Sequence, residues 1–234
     1  MNRRRMIWGA QLAIVALCAL ALKLYYSTAT ANELRWILAP TTLLVELLSG
    51  RSFEFESYTG YMSSDHRFVI AVPCAGVNFL ITAFVMLALR RLWNERFESV
   101  SWRFLPVSAA IAYGTTLIAN AVRIFIALEI QRGSFEVSGL SGNQLHRLEG
   151  IVVYFGVLML LFVLMERRNS RKVWVFPLVI YYAMTLGVPI VNGSFYRAGF
   201  WEHFGFVMVM PLIIVVTSNV LVFLLRKPAK RATA

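Results

Sequence analysis

Three residues of the chain have types that together perform acyl transfer: Cys74 in Pro73-Cys74-Ala75-Gly76, Arg123 in Asn120-Ala121-Val122-Arg123, and His146 in His146-Arg147-Leu148-Glu149-Gly150. A thiolate attacks a peptide carbonyl, an imidazole moves protons, and a guanidinium meets the charge of the developing oxyanion or orients the substrate. Cations beside a thiol also favour its nucleophilic, anionic form. Residue types leave open which of His146 and Arg123 carries each proton. The small neighbours Ala75 and Gly76 would leave room for a substrate backbone beside the sulfur. Asn78, one helical turn beyond Cys74, and Asn120, one turn before Arg123, are candidate substrate-binding amides or supports for those neighbours.

Each residue also has a plainer reading. A cysteine among apolar residues is commonly a small filler, the role that suits Cys18, midway along the first apolar run. An arginine just inside a membrane span snorkels to the headgroups, and a histidine at a helix start sits in the interface. The functional reading rests on convergence, because three separate apolar segments carry the three side chains to the same end. His203, in Trp201-Glu202-His203, is an alternative imidazole at that end, whereas His66, between Asp65 and Arg67, reads as a solvated loop residue. Glu149, one turn after His146, either orients the imidazole or pairs with Arg147 or Arg123. Neither ligand spacing for a metal nor a glycine-rich phosphate loop is present, so no metal or cofactor is expected.

The elements that must position these residues follow from hydropathy. With 59% apolar residues and a mean hydropathy of +0.65, the solvent of this protein is lipid. Candidate helical spans are Met6 to Tyr25, Phe68 to Leu89, Phe104 to Ile130, Leu148 to Met165, Val173 to Val191 and Phe204 to Leu225. Each suffices to cross a hydrocarbon layer of about 30 Å. They lack the strict alternation of barrel strands, which leaves an all-α polytopic fold of about six transmembrane helices in one domain. Cys74 would then lie a few residues inside the outer end of the second span, about 9 Å deep. Leu34 to Leu48 is apolar but interrupted by Arg35, Pro40 and Glu46. At about 22 Å it reads as a short interfacial or re-entrant helix.

A formal charge of +11 raises the question of nucleic acid, but the basic residues mark topology instead. With six crossings and the N-terminus inside, fifteen of the 23 basic residues gather on the cytoplasmic side. They are Arg3, Arg4, Arg5; Arg90, Arg91, Arg96, Arg103; Arg167, Arg168, Arg171, Lys172; and Arg226, Lys227, Lys230, Arg231. Glu33, Glu54, Glu56, Asp65, Glu136 and Glu202 fall on the other side. Both termini are therefore expected to be cytoplasmic, the first span uncleaved, and the Cys-Arg-His set on the outer face. Two cysteines do not make a disulfide framework.

The chain resembles the exosortase/archaeosortase membrane transpeptidases, most closely the small exosortase K branch. The resemblance is carried by Leu38-Ala39-Pro40-Thr41, Gly60-Tyr61, Asp65 to Ile70, Cys74-Ala75-Gly76-Val77-Asn78-Phe79, Asn120-Ala121-Val122-Arg123 and His146 to Gly150. It extends from Trp36 to about Met165. A bare Cys-x-Gly is weak, but a Cys, an Asn-x-x-Arg and a His on successive spans is a specific combination. The resemblance implies a cysteine transpeptidase of the bacterial inner membrane with Cys74 as nucleophile and Arg123 and His146 completing the active site. It implies substrates that are secreted proteins bearing a C-terminal sorting signal of the PEP-CTERM kind: a motif, a transmembrane helix and a basic tail. Cleavage through a thioester and transfer to an acceptor would follow. The alternatives are a non-enzymatic transport or exopolysaccharide-export scaffold, and an intramembrane protease that only hydrolyses.

Overall fold

The computed structural model describes residues 3–94, 101–133, 142–166, 174–193, 196 and 199–225. It is an all-α polytopic membrane fold, with α1 (Arg3–Thr28), α2 (Arg35–Ser49), α3 (Val77–Asn94), α4 (Phe104–Gly133), α5 (Gly142–Met165), α6 (Val175–Tyr182), α7 (Val188–Val191) and α8 (Phe200–Leu225). Among the described residues, five stretches are long and apolar enough to cross a membrane: α1, the segment Val72–Asn94 (which contains α3), α4, α5 and α8. The sixth expected span is the shorter apolar run Val175–Val191, about 25 Å of helix. It is widened into a π turn at Ala183–Gly187. Pro189 has no N–H for the Thr185 carbonyl, and the Thr185 hydroxyl turns back onto the Tyr181 carbonyl at 2.6 Å. A missing ladder donor of this kind is a usual cause of such a bulge.

Helix α2 takes the place of the expected short helix and packs along α4, burying Ile37, Leu38, Thr41, Thr42 and Val45. Pro40 removes the amide that would bond the Trp36 carbonyl, and in an apolar setting such an orphan acceptor is costly. Tyr113 of α4 supplies the donor, its hydroxyl bonding the Trp36 oxygen at 2.6 Å while its ring stacks on the Trp36 indole at 5.8 Å. Tyr113→Phe is expected to destabilise the protein by about 1–2 kcal/mol, the cost of an unpaired acceptor. Pro40→Ala returns an N–H to that carbonyl, so the double variant should lose markedly less than the two singles added. Thermal unfolding of the four proteins in detergent measures this coupling, and strict additivity would refute the pairing.

Between α2 and α3 the expectation of a loop followed by a span from Phe68 needs correction. The chain forms an antiparallel sheet, β1 (Phe53–Glu56), β2 (Gly60–Ser63) and β3 (Val69–Ile70), in the order β1-β2-β3. Its register pairs Phe53 with Ser63, Phe55 with Tyr61 and Tyr61 with Ile70. Glu46, which interrupted the apolar pattern of α2, accepts a bond from the Phe53 amide at 2.8 Å and ties the sheet to the helix. Asp65 pins the β2–β3 turn. The Ser63 hydroxyl donates to its carboxylate at 2.6 Å and the Arg67 amide donates to the same oxygen at 3.2 Å; with Arg51 and Arg67 nearby, these bonds hold that carboxyl below its ordinary value. At Gly60 the backbone has φ +117°, and a side chain there would run into the Ile70 carbonyl. Phe68 to Ala75 is therefore strand and 3-10 turn, and the membrane helix proper begins at Val77.

At the opposite end of the bundle the Trp8 indole bonds the Leu92 carbonyl at 3.1 Å, joining the start of α1 to the end of α3. Arg90 pairs there with Glu166 and lies over the Phe162 ring. Arg3, Arg4, Arg5, Arg90, Arg91 and Arg103 belong to this end. The other expected cytoplasmic residues, Arg96, Arg167, Arg168, Arg171, Lys172, Arg226, Lys227, Lys230 and Arg231, lie outside the described residues, as do Glu136 and Arg197.

Candidate active site

Cys74 sits in the 3-10 turn Val72–Ala75, between β3 and α3, and is half-buried. Pro73 near the start of the turn favours it, and the Cys74 amide bonds the Ala71 carbonyl at 2.8 Å. The chain then reverses at Gly76, which has φ +72° and whose carbonyl accepts the first amides of α3, from Phe79 and Leu80. This reversal leaves the Cys74 carbonyl without a helical partner. Asn120 of α4 provides one, its amide nitrogen donating to the Cys74 oxygen at 2.5 Å.

Gly76 therefore serves a different purpose from the one its size suggested. A Cβ there would lie 3.1 Å from Asn120 Cγ and 3.3 Å from Thr116 Cγ2, so the missing side chain makes room for α4. Ala75 is fully buried. The left-handed conformation and the close helix approach both call for glycine.

Arg123 reaches the cysteine from α4 and is 7% exposed. Its Nε donates to Asn120 Oδ1 at 3.3 Å, its Nη1 meets His146 Nε2 at 3.3 Å, and the guanidinium stands 5.6 Å from the centre of the Tyr154 ring. It also lies close enough to interact electrostatically with the side chains of Cys74 and Glu149. His146, in the first turn of α5, has a half-exposed side chain that points Nδ1 at Glu149 Oε2, 3.5 Å away. Thus the 3-10 turn, α4 and α5 bring Cys74, Arg123 and His146 to one site, with the guanidinium meeting the imidazole and lying within electrostatic range of the cysteine.

The two asparagines differ. Asn120 supports Arg123, one of the two roles expected of it; it is fully buried, its oxygen taking the Tyr154 hydroxyl at 2.8 Å as well as Arg123, so it holds the site from behind. Asn78 is exposed and accepts a bond from Lys23 of α1 at 2.7 Å. It does not lie one turn from Cys74, because the left-handed Gly76 breaks the helical phase between them. His203 is half-buried beside Arg147, which itself pairs with Glu202 at 3.3 Å, and no contact joins it to the cysteine among the described residues. His66 is a loop residue with φ +53°, its Nδ1 2.9 Å from the Met62 sulfur.

Two tyrosines complete the site. Tyr154 stacks on Phe79 with ring centroids 4.8 Å apart, linking α5 to α3 behind the cysteine. Tyr26 of α1 points its hydroxyl at the Val72 carbonyl, 3.4 Å away, and lies within electrostatic range of Cys74 and Arg123. Tyr154 falls on the helical face that carries His146 and Gly150 at four-residue intervals, a pattern visible in the sequence. Both cysteines are free. Cys18 lines an apolar cleft of about 420 Å³ between α1 and α4, with Leu22, Trp36, Leu80, Phe84 and Tyr113.

A thiol, a guanidinium and an imidazole in one connected set can perform nucleophilic acyl substitution, with Arg123 meeting negative charge on sulfur or on the tetrahedral oxygen. No protein-family model, curated protein or solved structure matches the chain.

Proposed function

We propose that the protein is a membrane-embedded cysteine transpeptidase of the exosortase kind, cleaving C-terminal sorting signals of secreted proteins through a Cys74 thioester. The observation that carries this reading is the grouping of Cys74, Arg123 and His146, with Arg123 bonded to His146 and within electrostatic range of Cys74, assembled from a turn and two helices at one end of a membrane bundle. The order of Cys, Asn-x-x-Arg and His along the chain, resembling the exosortases, supports it independently.

Depth is favourable as well. The site lies level with Asn120, about 24 Å along α4 from Phe104, so a 30 Å hydrocarbon layer starting near that residue holds the sulfur about 6 Å beneath its far surface. Charge supports the orientation in which the arginine-rich end is cytoplasmic and the cysteine end faces the periplasm. A substrate helix crossing the membrane becomes extended where it leaves the outer leaflet, and there its peptide bonds are open to attack. Helix α2 and β3 pack beside the Cys74 turn there.

The deciding experiment co-expresses the protein with a secreted substrate that ends in a short motif, an apolar helix and a basic tail. The mass of the mature C-terminus is then measured. A shortened chain carrying an added acceptor is the expected product. A shortened chain ending in a free carboxylate would mean hydrolysis without transfer, and an unprocessed substrate set would favour the non-enzymatic scaffold.

A further inference from the structure

Glu149 is a buried carboxylate whose environment is unusual. The residue is 9% exposed, its Oε2 faces His146 Nδ1 at 3.5 Å, and its buried Oε1 has no hydrogen-bond partner. A charged group desolvated to this degree on a helix facing the bundle costs several kcal/mol unless a specific interaction offsets it. Its charged neighbours are Arg123, which interacts with it electrostatically from α4, and His146 on its own helix.

The geometry on the other side of the imidazole defines what Glu149 does. A guanidinium can donate but cannot accept, so the contact between Arg123 Nη1 and His146 Nε2 at 3.3 Å requires a lone pair on Nε2. The ring proton must then sit on Nδ1, the nitrogen that faces the Glu149 carboxylate. Carboxylate, imidazole and guanidinium thus form one directed chain in which only a single tautomer satisfies both contacts.

We propose that Glu149 is a positioning residue that holds His146 in the Nδ1–H tautomer, leaving Nε2 as the basic nitrogen at the reaction centre. This inference rests on the assignment of Cys74 as nucleophile. In the step it supports, Arg123 Nη1 turns from Nε2 to the developing negative charge, and the freed Nε2 lone pair takes the Cys74 thiol proton as the carbon–sulfur bond forms. Imidazolium, its Nδ1–H held by Glu149, then returns that proton to the amine as the carbon–nitrogen bond breaks. In the second half the acceptor's proton passes to Nε2, the new acyl bond forms, and sulfur leaves with the electron pair of the thioester bond and recovers the proton. Glu149 keeps its contact with Nδ1 throughout and forms no bond to substrate.

The test uses the full chain in micelles with ¹⁵N-labelled histidine. The His146 signals are assigned by their loss in His146→Ala and read at neutral pH in the parent and in Glu149→Gln. The parent should show the Nδ1–H tautomer. In the variant a side-chain amide faces Nδ1 and can donate to it, so the signal should move toward the Nε2–H tautomer, and processing should fall by about 10²-fold or more. A merely structural carboxylate would not move the tautomer. The proposal is overturned if the parent already shows Nε2–H or a doubly protonated ring, a measurement that holds even where the variant fails to fold. It is equally overturned if His146 has the same signature in both proteins. Failure of the transpeptidase reading looks different: the parent would process no substrate, whatever tautomer His146 adopts.

Discussion

Replacing Cys74 with alanine is expected to abolish processing, with turnover at least about 10⁴-fold below the parent, because removing the nucleophile of a cooperating set forfeits most of its rate enhancement. The fold should survive the change. Cys74 is only half-buried, and what ties its turn to the bundle is its backbone: the amide on Ala71 and the carbonyl on Asn120. Alanine keeps both bonds. Serine also keeps them and adds a hydroxyl that is scarcely ionised at neutral pH, so Cys74→Ser should likewise lose at least about 10³-fold. A substrate adduct that hydroxylamine cleaves should accumulate on the parent when acceptor is scarce and be missing from Cys74→Ala. Substrate shortened at the parental rate by the alanine protein would eliminate thiol catalysis outright.

The same residue shows where sequence reasoning reaches and where it stops. Its type, and those of Arg123 and His146, sufficed to single out three side chains that the fold gathers at one end of the bundle, since ionisable and thiol groups at the ends of apolar runs stand out against lipid-facing neighbours. The helices were legible too, because length and hydropathy fix a span almost regardless of packing, as α1, α4 and α8 illustrate. The setting of Cys74 was not. Phe68 to Ala75 is apolar whether it is the first turns of a helix or a strand and a 3-10 turn, and a short apolar run carries no period that separates the two. A sign of the sheet did exist in Phe53-Glu54-Phe55-Glu56, which alternates with period two ahead of the turn residues Thr59-Gly60. Asn78 was misplaced for a related reason: counting one helical turn from Cys74 assumes an unbroken helix, and Gly76 in the left-handed region breaks it. Buried partners such as Tyr154 were accessible only through the face they share with His146.

The second large effect is expected at Arg123. It joins the Cys74 environment to His146, bonds Asn120 and offsets the buried charge of Glu149. Arg123→Ala should reduce turnover by at least about 10³-fold, the order found when a donor to a developing oxyanion is removed. Arg123→Lys tests geometry against charge. An ammonium on a flexible stem is a point charge and cannot address Asn120, His146 and the sulfur with one rigid fork, so lysine should still lose at least about 10²-fold. Stability must be read alongside. Arg123 and Glu149 are both buried and interact electrostatically without forming an ion pair, so removing the arginine alone strands the carboxylate's charge. Arg123→Met alone should therefore unfold far more readily than Arg123→Met combined with Glu149→Gln, and neither should regain activity. If the double variant proved no more stable than the single one, Arg123 and Glu149 would not be energetically coupled. If Arg123→Lys turned over like the parent, positive charge alone would be enough and the fork geometry would be incidental to the chemistry.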